Sequence, residues 1–146
     1  MYWRRGRPAP LRCAIVTDVL LATDADWVIE EVAAALAGPE VTFRVVRSGQ
    51  DVRPAVQAST PDLVILDFQI GNMGGMATCL DLRLESGMGR LPRVPVLMLA
   101  DREADVFLAR RSEADAWLVK PLNPLLLRRT AQRLSPWPER PASEAR

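Results

Sequence analysis

Apolar residues along this chain fall in short runs: 19–23, 41–46, 63–66, 94–99 and 116–119, each four to six residues and rich in Val, Leu and Ile. Runs of that length predict strands of a parallel sheet covered on both faces. Helical spacing fills the gaps. Residues 26–36 place Val28, Val32, Ala35 and Leu36 on one face, with Glu30 and Glu31 off it. Residues 50–58 turn Val52, Ala55 and Val56 inward. Residues 75–84 turn in either Met76, Leu80 and Leu84 or a face centred on Cys79, and 102–111 present Val106 with Ala109 or Arg110. The last helix opens with Asn123 as N-cap and Pro124 at its first position, then runs LLLRRTAQRL. Five βα units with short loops imply right-handed crossovers and an α/β fold, a three-layer α/β/α sandwich around a five-stranded parallel sheet. No internal repeat is visible.

Composition narrows the chemistry. At 146 residues the chain suits one domain. It has no histidine, which excludes His-ligated metal sites, Ser-His and Cys-His nucleophiles, and a phosphohistidine donor role. Cys13 and Cys79 fit a reduced cytoplasmic protein better than a disulfide framework. No apolar stretch approaches a membrane span, and Asp18 and Asp24 interrupt the run a secretory signal would need. The expected location is cytoplasmic, without a membrane partner.

The formal net charge of +1 hides an uneven distribution. Residues 1–18 carry +3 and residues 128–146 carry +3, so residues 19–127 hold −5. Residues 1–18 read as a flexible basic leader, 19–134 as the folded domain, and 135–146 as a Pro-rich tail. An acidic body argues against direct DNA binding by the domain.

Ligands of such sheets bind beyond the carboxyl ends of the strands. The residues there are Thr23, Asp24 and Asp26, then Asp67 and Gln69, then Ala100 and Asp101, then Lys120 and Pro121. Clustered carboxylates call for a cation, and hard oxygen donors suit Mg²⁺. Lys120 is the only lysine among nineteen basic residues. A compact ammonium on a flexible stem suits an inward-reaching phosphate contact better than arginine's planar fork.

PDLVILD followed by FQIGNMGGM, then PVLMLA and ADAWLVKP, resembles the receiver domain of two-component response regulators over about residues 19–134. The resemblance implies strand order 2-1-3-4-5. It makes Asp67 the acceptor of a phosphoryl group from a phosphohistidine, and Lys120 the contact to the phosphoryl oxygens. Mg²⁺ would be held by Asp24, Asp67 and the Gln69 backbone carbonyl. Gly75 matches the family glycine eight residues past the acceptor, and Trp117 the aromatic switch position. Implied partners are a sensor histidine kinase or phosphotransfer protein, and a downstream protein on the face of the fourth helix, fifth strand and fifth helix. A homodimer stays open.

The departures are specific. The usual acid pair after the first strand is Thr23–Asp24, so one metal acid is missing unless Asp26 reaches in; the competing reading makes Asp26 the N-cap of the first helix. The switch hydroxyl is replaced by Ala100, which weakens the contact that distinguishes the phosphorylated state. Gly71 and Gly74 imply a more flexible acceptor loop. In the first strand, CAIVTD would make Asp18 the metal acid. VLLATD is preferred because it leaves 43 residues from Asp24 to Asp67, near the family spacing. Trp27 is either a lid over the acidic pocket or an anchor of the first helix.

The expected function is a stand-alone, phosphorylatable but weakly switching receiver that is not an enzyme. The alternative is an interaction module working without phosphorylation. A phosphatase of the haloacid dehalogenase type is disfavoured because Gln69, in the acid/base position, cannot protonate a leaving group. No G-x-G-x-x-G follows the first strand, which argues against a dinucleotide site.

Overall fold

The computed structural model describes residues 16–135. Five parallel strands, β1 (Thr17–Ala22), β2 (Val41–Val46), β3 (Leu63–Asp67), β4 (Val96–Ala100) and β5 (Ala116–Val119), form one sheet in the order β2-β1-β3-β4-β5. Helices α1 (Asp26–Leu36), α2 (Val52–Ala58), α3 (Gly75–Gly87) and α4 (Val106–Arg111) make the four crossovers, and α5 (Pro124–Leu134) follows β5. Short 3₁₀ turns, Gly49–Asp51 and Glu103–Asp105, lead into α2 and α4.

The period-two alternation of each strand splits the core in two. Leu20, Ala22, Val64, Leu66, Val96 and Met98 pack with α2, α3 and α4. Val19, Leu21, Leu63, Ile65, Leu97 and Leu99 pack with Val28, Val32 and Leu36 of α1 and Leu127 and Ala131 of α5. Burial on both faces explains why these strands read as continuous apolar runs.

β1 begins at Thr17, inside the expected leader, and Asp18 lies within the strand. There it pairs with Arg44 at 2.9 Å, while its amide donates to Asp62 Oδ2. That leaves Asp24 just past the end of β1. The leader before residue 16 and the tail after Ser135 lie outside the described residues.

The structure settles one open helix reading and corrects others. In α3 the Cys79-centred face is the buried one, with Thr78, Leu82 and Arg83, whereas Leu80 and Leu84 face outward. α3 also runs on to Gly87, past the expected end at Leu84. In α1 the N-cap is Ala25, not Asp26; Asp26 is the first helical residue, where its charge suits the helix dipole. Asn123 caps α5 as expected, its side-chain oxygen accepting from the Leu126 amide at 3.0 Å.

Candidate functional site

Following each strand's alternation to or just past its last residue brings four side chains to one side of the sheet edge. Thr23 follows Val19 and Leu21, Asp67 follows Leu63 and Ile65, Asp101 follows Leu97 and Leu99, and Lys120 follows Ala116 and Leu118. All four belong to the α1–α5 face.

Asp67 is 2 % exposed, and both its oxygens are engaged. Thr23 Oγ1 donates to Oδ2 at 2.7 Å, while Lys120 Nζ at 2.7 Å and the Gln69 amide at 3.2 Å donate to Oδ1. Thr23 therefore places a buried hydroxyl where the family pattern has an acid. Lys120 Nζ also donates to Asp101 Oδ1 at 2.8 Å and lies 5.5 Å from the centre of the Trp27 ring. Trp27 thus stands beside the ammonium while remaining half exposed. Burial by itself pulls the Lys120 pKa down, but the hydrogen bonds and negative charges of Asp101 and Asp67 outweigh it. The net result is a pKa above 10.5.

Asp24 lies at the rim, its Oδ2 accepting from the Gly71 amide at 3.0 Å. Asp26 turns away from the pocket to pair with Arg47 at 2.7 Å, both side chains being exposed. It does not supply the missing acid. Among the described residues no group of three His, Cys, Asp or Glu side chains is arranged to hold a metal ion.

The loop after Asp67 is hydrogen-bonded to its neighbours. Gly49 N donates to Gly71 O at 3.0 Å and Gln50 N to Asn72 O at 3.1 Å, while Thr78 Oγ1 donates to Met73 O at 2.8 Å. The left-handed backbone falls on Asn72 (φ 52°) and Met73 (φ 79°) instead of on the loop glycines. Gly49 has to be glycine because a Cβ there would meet the Met73 and Asn72 carbonyls and the Thr78 hydroxyl. Gly75 opens α3 directly against the end of β3, where a Cβ would lie 2.7 Å from Asp67 O and 2.8 Å from Phe68 Cα. Both neighbours are backbone, so Gly75→Ala is expected to displace the Asp67 main chain and cost about 2 kcal/mol. Urea denaturation checks this; an unchanged midpoint would show that α3 shifts freely.

Ala100 is fully buried at the end of β4 and has no hydroxyl to offer the pocket. Trp117 packs half-buried against the α2–α4 core, with the Arg110 guanidinium 5.2 Å over its ring. Cys79 is a buried free thiol whose pKa burial pushes up, in keeping with a packing role. Sequence reasoning placed Asp101 at the sheet edge but gave it no role. The signal was its parity with Leu97 and Leu99, two and four residues back.

An acidic residue closing the middle strand, a lysine reaching it from the strand at the edge, and a 2-1-3-4-5 parallel sheet define a receiver-type signalling domain. The response regulator receiver domain model matches residues 19–132, and the chain belongs to that family. It is 32% identical over 108 residues to the DNA-binding response regulator MtrA of Mycolicibacterium smegmatis, covering 73% of this chain and 45% of that protein. It is 30% identical over 113 residues to the transcriptional regulatory protein CseB of Streptomyces avermitilis, covering 76% and 46%. The chain thus spans about half the length of the curated relatives it matches. Among solved structures, the chemotaxis response regulator CheY4 of Vibrio cholerae superposes with TM-score 0.71 at 25% identity, covering 82% of this chain and 98% of that one. A putative response regulator from Chloroflexus aurantiacus shares the fold with TM-score 0.73 at 23% identity, covering 82% and 97%. Receiver domains are signalling modules that generally bind Mg²⁺ at the acidic phosphorylation site. Among the described residues no helix is long and apolar enough to cross a membrane.

Proposed function

We propose that this domain accepts a phosphoryl group on Asp67 from a phosphohistidine of a kinase or phosphotransfer protein. The observation that carries the reading is the buried Lys120–Asp67 pair at 2.7 Å, built from the chain's single lysine. An Asp67 oxygen attacks phosphorus in line, the bond from phosphorus to the donor nitrogen breaks, and the imidazole leaves with the electron pair. Lys120 stays within reach of both the carboxylate and the incoming oxygens, where its charge favours the transition state.

The donor chemistry fits a hard divalent cation. The Asp24 and Asp67 carboxylates and the Gln69 carbonyl would hold Mg²⁺, which when bound neutralises charge on the phosphoryl oxygens. Thr23 in place of an acid makes that set one carboxylate short, so its affinity is lower than that of a three-acid site.

Ala100 supports weak switching. Without a hydroxyl, the end of β4 makes no hydrogen bond that exists only in the phosphorylated state, and a ligand shifts an equilibrium only by its differential contacts. The same residue favours the second reading, an interaction module that works without phosphorylation. The proposed role is that of the receiver module itself; no attached output is assumed.

Incubation with acetyl phosphate and Mg²⁺, read by intact mass, is expected to add one phosphoryl group, labile to acid, base and hydroxylamine as an acyl phosphate is, to the wild type and none to Asp67→Asn. Absence of the adduct from the wild type would overturn phosphoryl acceptance and leave the interaction module. A label that survives in Asp67→Asn would place the acceptor elsewhere.

A further inference from the structure

The ammonium of Lys120 is shared. Asp67 Oδ1 lies 2.7 Å from it and Asp101 Oδ1 lies 2.8 Å from it, so one cation serves two carboxylates. Asp101 depends on it: the other oxygen, Oδ2, is buried and has no hydrogen-bond partner among the described residues. A buried acceptor left unpaired is costly, and here the bond from Lys120 to the other oxygen compensates. Asp101 directly follows Ala100, so a fixed negative charge stands next to the position that lacks the hydroxyl.

We propose that Asp101 is an electrostatic latch on the phosphoryl-accepting site, holding Lys120 in the unphosphorylated arrangement and opposing the arrival of an anionic phosphoryl group. The proposal rests on the reading of Asp67 as phosphoacceptor. Two effects act in the same direction. The Asp101 carboxylate, its side chain 29% exposed, repels the incoming phosphoryl oxygens through a partly screened charge. The phosphoryl group also competes for the ammonium. Once Lys120 turns to the phosphoryl oxygens, Asp101 loses its partner, and a carboxylate with one orphaned oxygen becomes a carboxylate with two. That penalty falls only on the phosphorylated state, so it reduces both the rate and the final extent of modification. Asp101 is a positioning residue: it holds Lys120 and adds its own charge to the pocket, and it does not touch the reacting atoms.

Two substitutions separate the charge from the hydrogen bond. Asp101→Asn removes the charge but keeps an amide of similar shape, while Asp101→Ala removes both and has no donor to offer a phosphoryl oxygen. The full chain and both variants are incubated with acetyl phosphate and Mg²⁺, and the adduct is followed by intact mass, with Asp67→Asn as blank. In parallel, Lys120 is acylated with a small amine-reactive ester and its modification is followed by peptide mass. Because the chain has a single lysine, only the terminal amine needs to be told apart from it. Both variants are expected to gain the phosphoryl group about tenfold faster than the wild type, the factor that ~1.4 kcal/mol of relieved repulsion would give. Lys120 is expected to acylate faster in both. Equal or slower phosphorylation in the variants, with the wild type labelled, overturns the latch alone. Unchanged Lys120 acylation overturns it as well, because Asp101 would then not be holding the ammonium. No adduct on any chain overturns the phosphoacceptor reading and the latch that depends on it.

Discussion

Replacing Lys120 with methionine is expected to slow phosphoryl acceptance by about a hundredfold, the usual loss when one preorganised charge-stabilising donor is removed. Methionine keeps much of the stem's volume, so the change removes mainly the cation. Asp67 and Asp101 then face one pocket with no positive charge between them, Asp67 being 2 % exposed. Breaking a buried pair by deleting one partner costs about 3 kcal/mol. Chemical denaturation of the two chains at neutral pH checks the stability loss, and acetyl phosphate labelling checks the rate.

The sign of the pH dependence follows from the direction of the Lys120 pKa, which lies above 10.5 in the folded chain. Stability from a raised lysine pKa is fully present below the unfolded value and is lost as pH rises through the folded one. The gap between wild type and Lys120→Met should therefore hold through neutral and mildly alkaline pH, then close above 10.5. A gap that closes below pH 9 would show that the ammonium is not held by its two carboxylates. Adding Asp101→Ala to Lys120→Met should restore part of the stability, since one of the unpaired carboxylates is removed.

The second large effect lies away from the pocket. Arg83, on α3, is buried with its side chain 6% exposed. Its guanidinium ties three segments together, donating to Val94 O at 2.7 Å, Glu113 O at 3.0 Å and Asp115 Oδ2 at 2.7 Å. Asp115 in turn accepts from the Val96 amide at the start of β4 and from Arg93. Arg83→Met keeps the packed stem but strands two carbonyls and weakens the hold on Asp115. The expected loss is about 3 kcal/mol, or ~10 °C in melting temperature for a domain of this size. Phosphoryl labelling of the folded variant should match the wild type, because none of these groups contacts Asp67. A melting temperature within a degree or two of the wild type would mean that Arg93 and solvent take over the abandoned acceptors.

Arg83 and Asp101 show where sequence reasoning stops. The sequence pattern left two faces of α3 open, one with Met76, Leu80 and Leu84 inward and one centred on Cys79, and it gave Arg83 no role. The correct face of α3 depends on the helix's rotation over the sheet. That rotation is set by Gly75 packing its bare Cα against the Asp67 and Phe68 backbone and by Thr78 bonding the Met73 carbonyl. Neither constraint is periodic, so no moment along the helix carries it. Asp26 failed for a related reason. An acid two positions past Asp24 is a fair candidate ligand in one dimension, but the first turn of α1 sends it outward to Arg47.

The two-sided core was readable in one dimension because it rests on local signals, whereas strand order and the pairing of Asp67 with Lys120 were implied by the family resemblance. Continuous β-branched and Leu runs mark doubly covered strands, Asn123–Pro124 marks a helix start, and a lone lysine among arginines stands out against its background. The VLLATD reading of the first strand was readable from the family spacing, and β1 ends at Ala22 with Asp18 inside it, paired with Arg44. The sharing of Lys120 is of another kind. Asp101 and Asp67 are 34 residues apart in the chain, and their convergence on one ammonium depends on strand register and on which side of the sheet α1 and α5 cover. Hydrogen-bond partners across such distances are set by how whole elements pack, and packing is a property of the assembled sheet rather than of any segment of it.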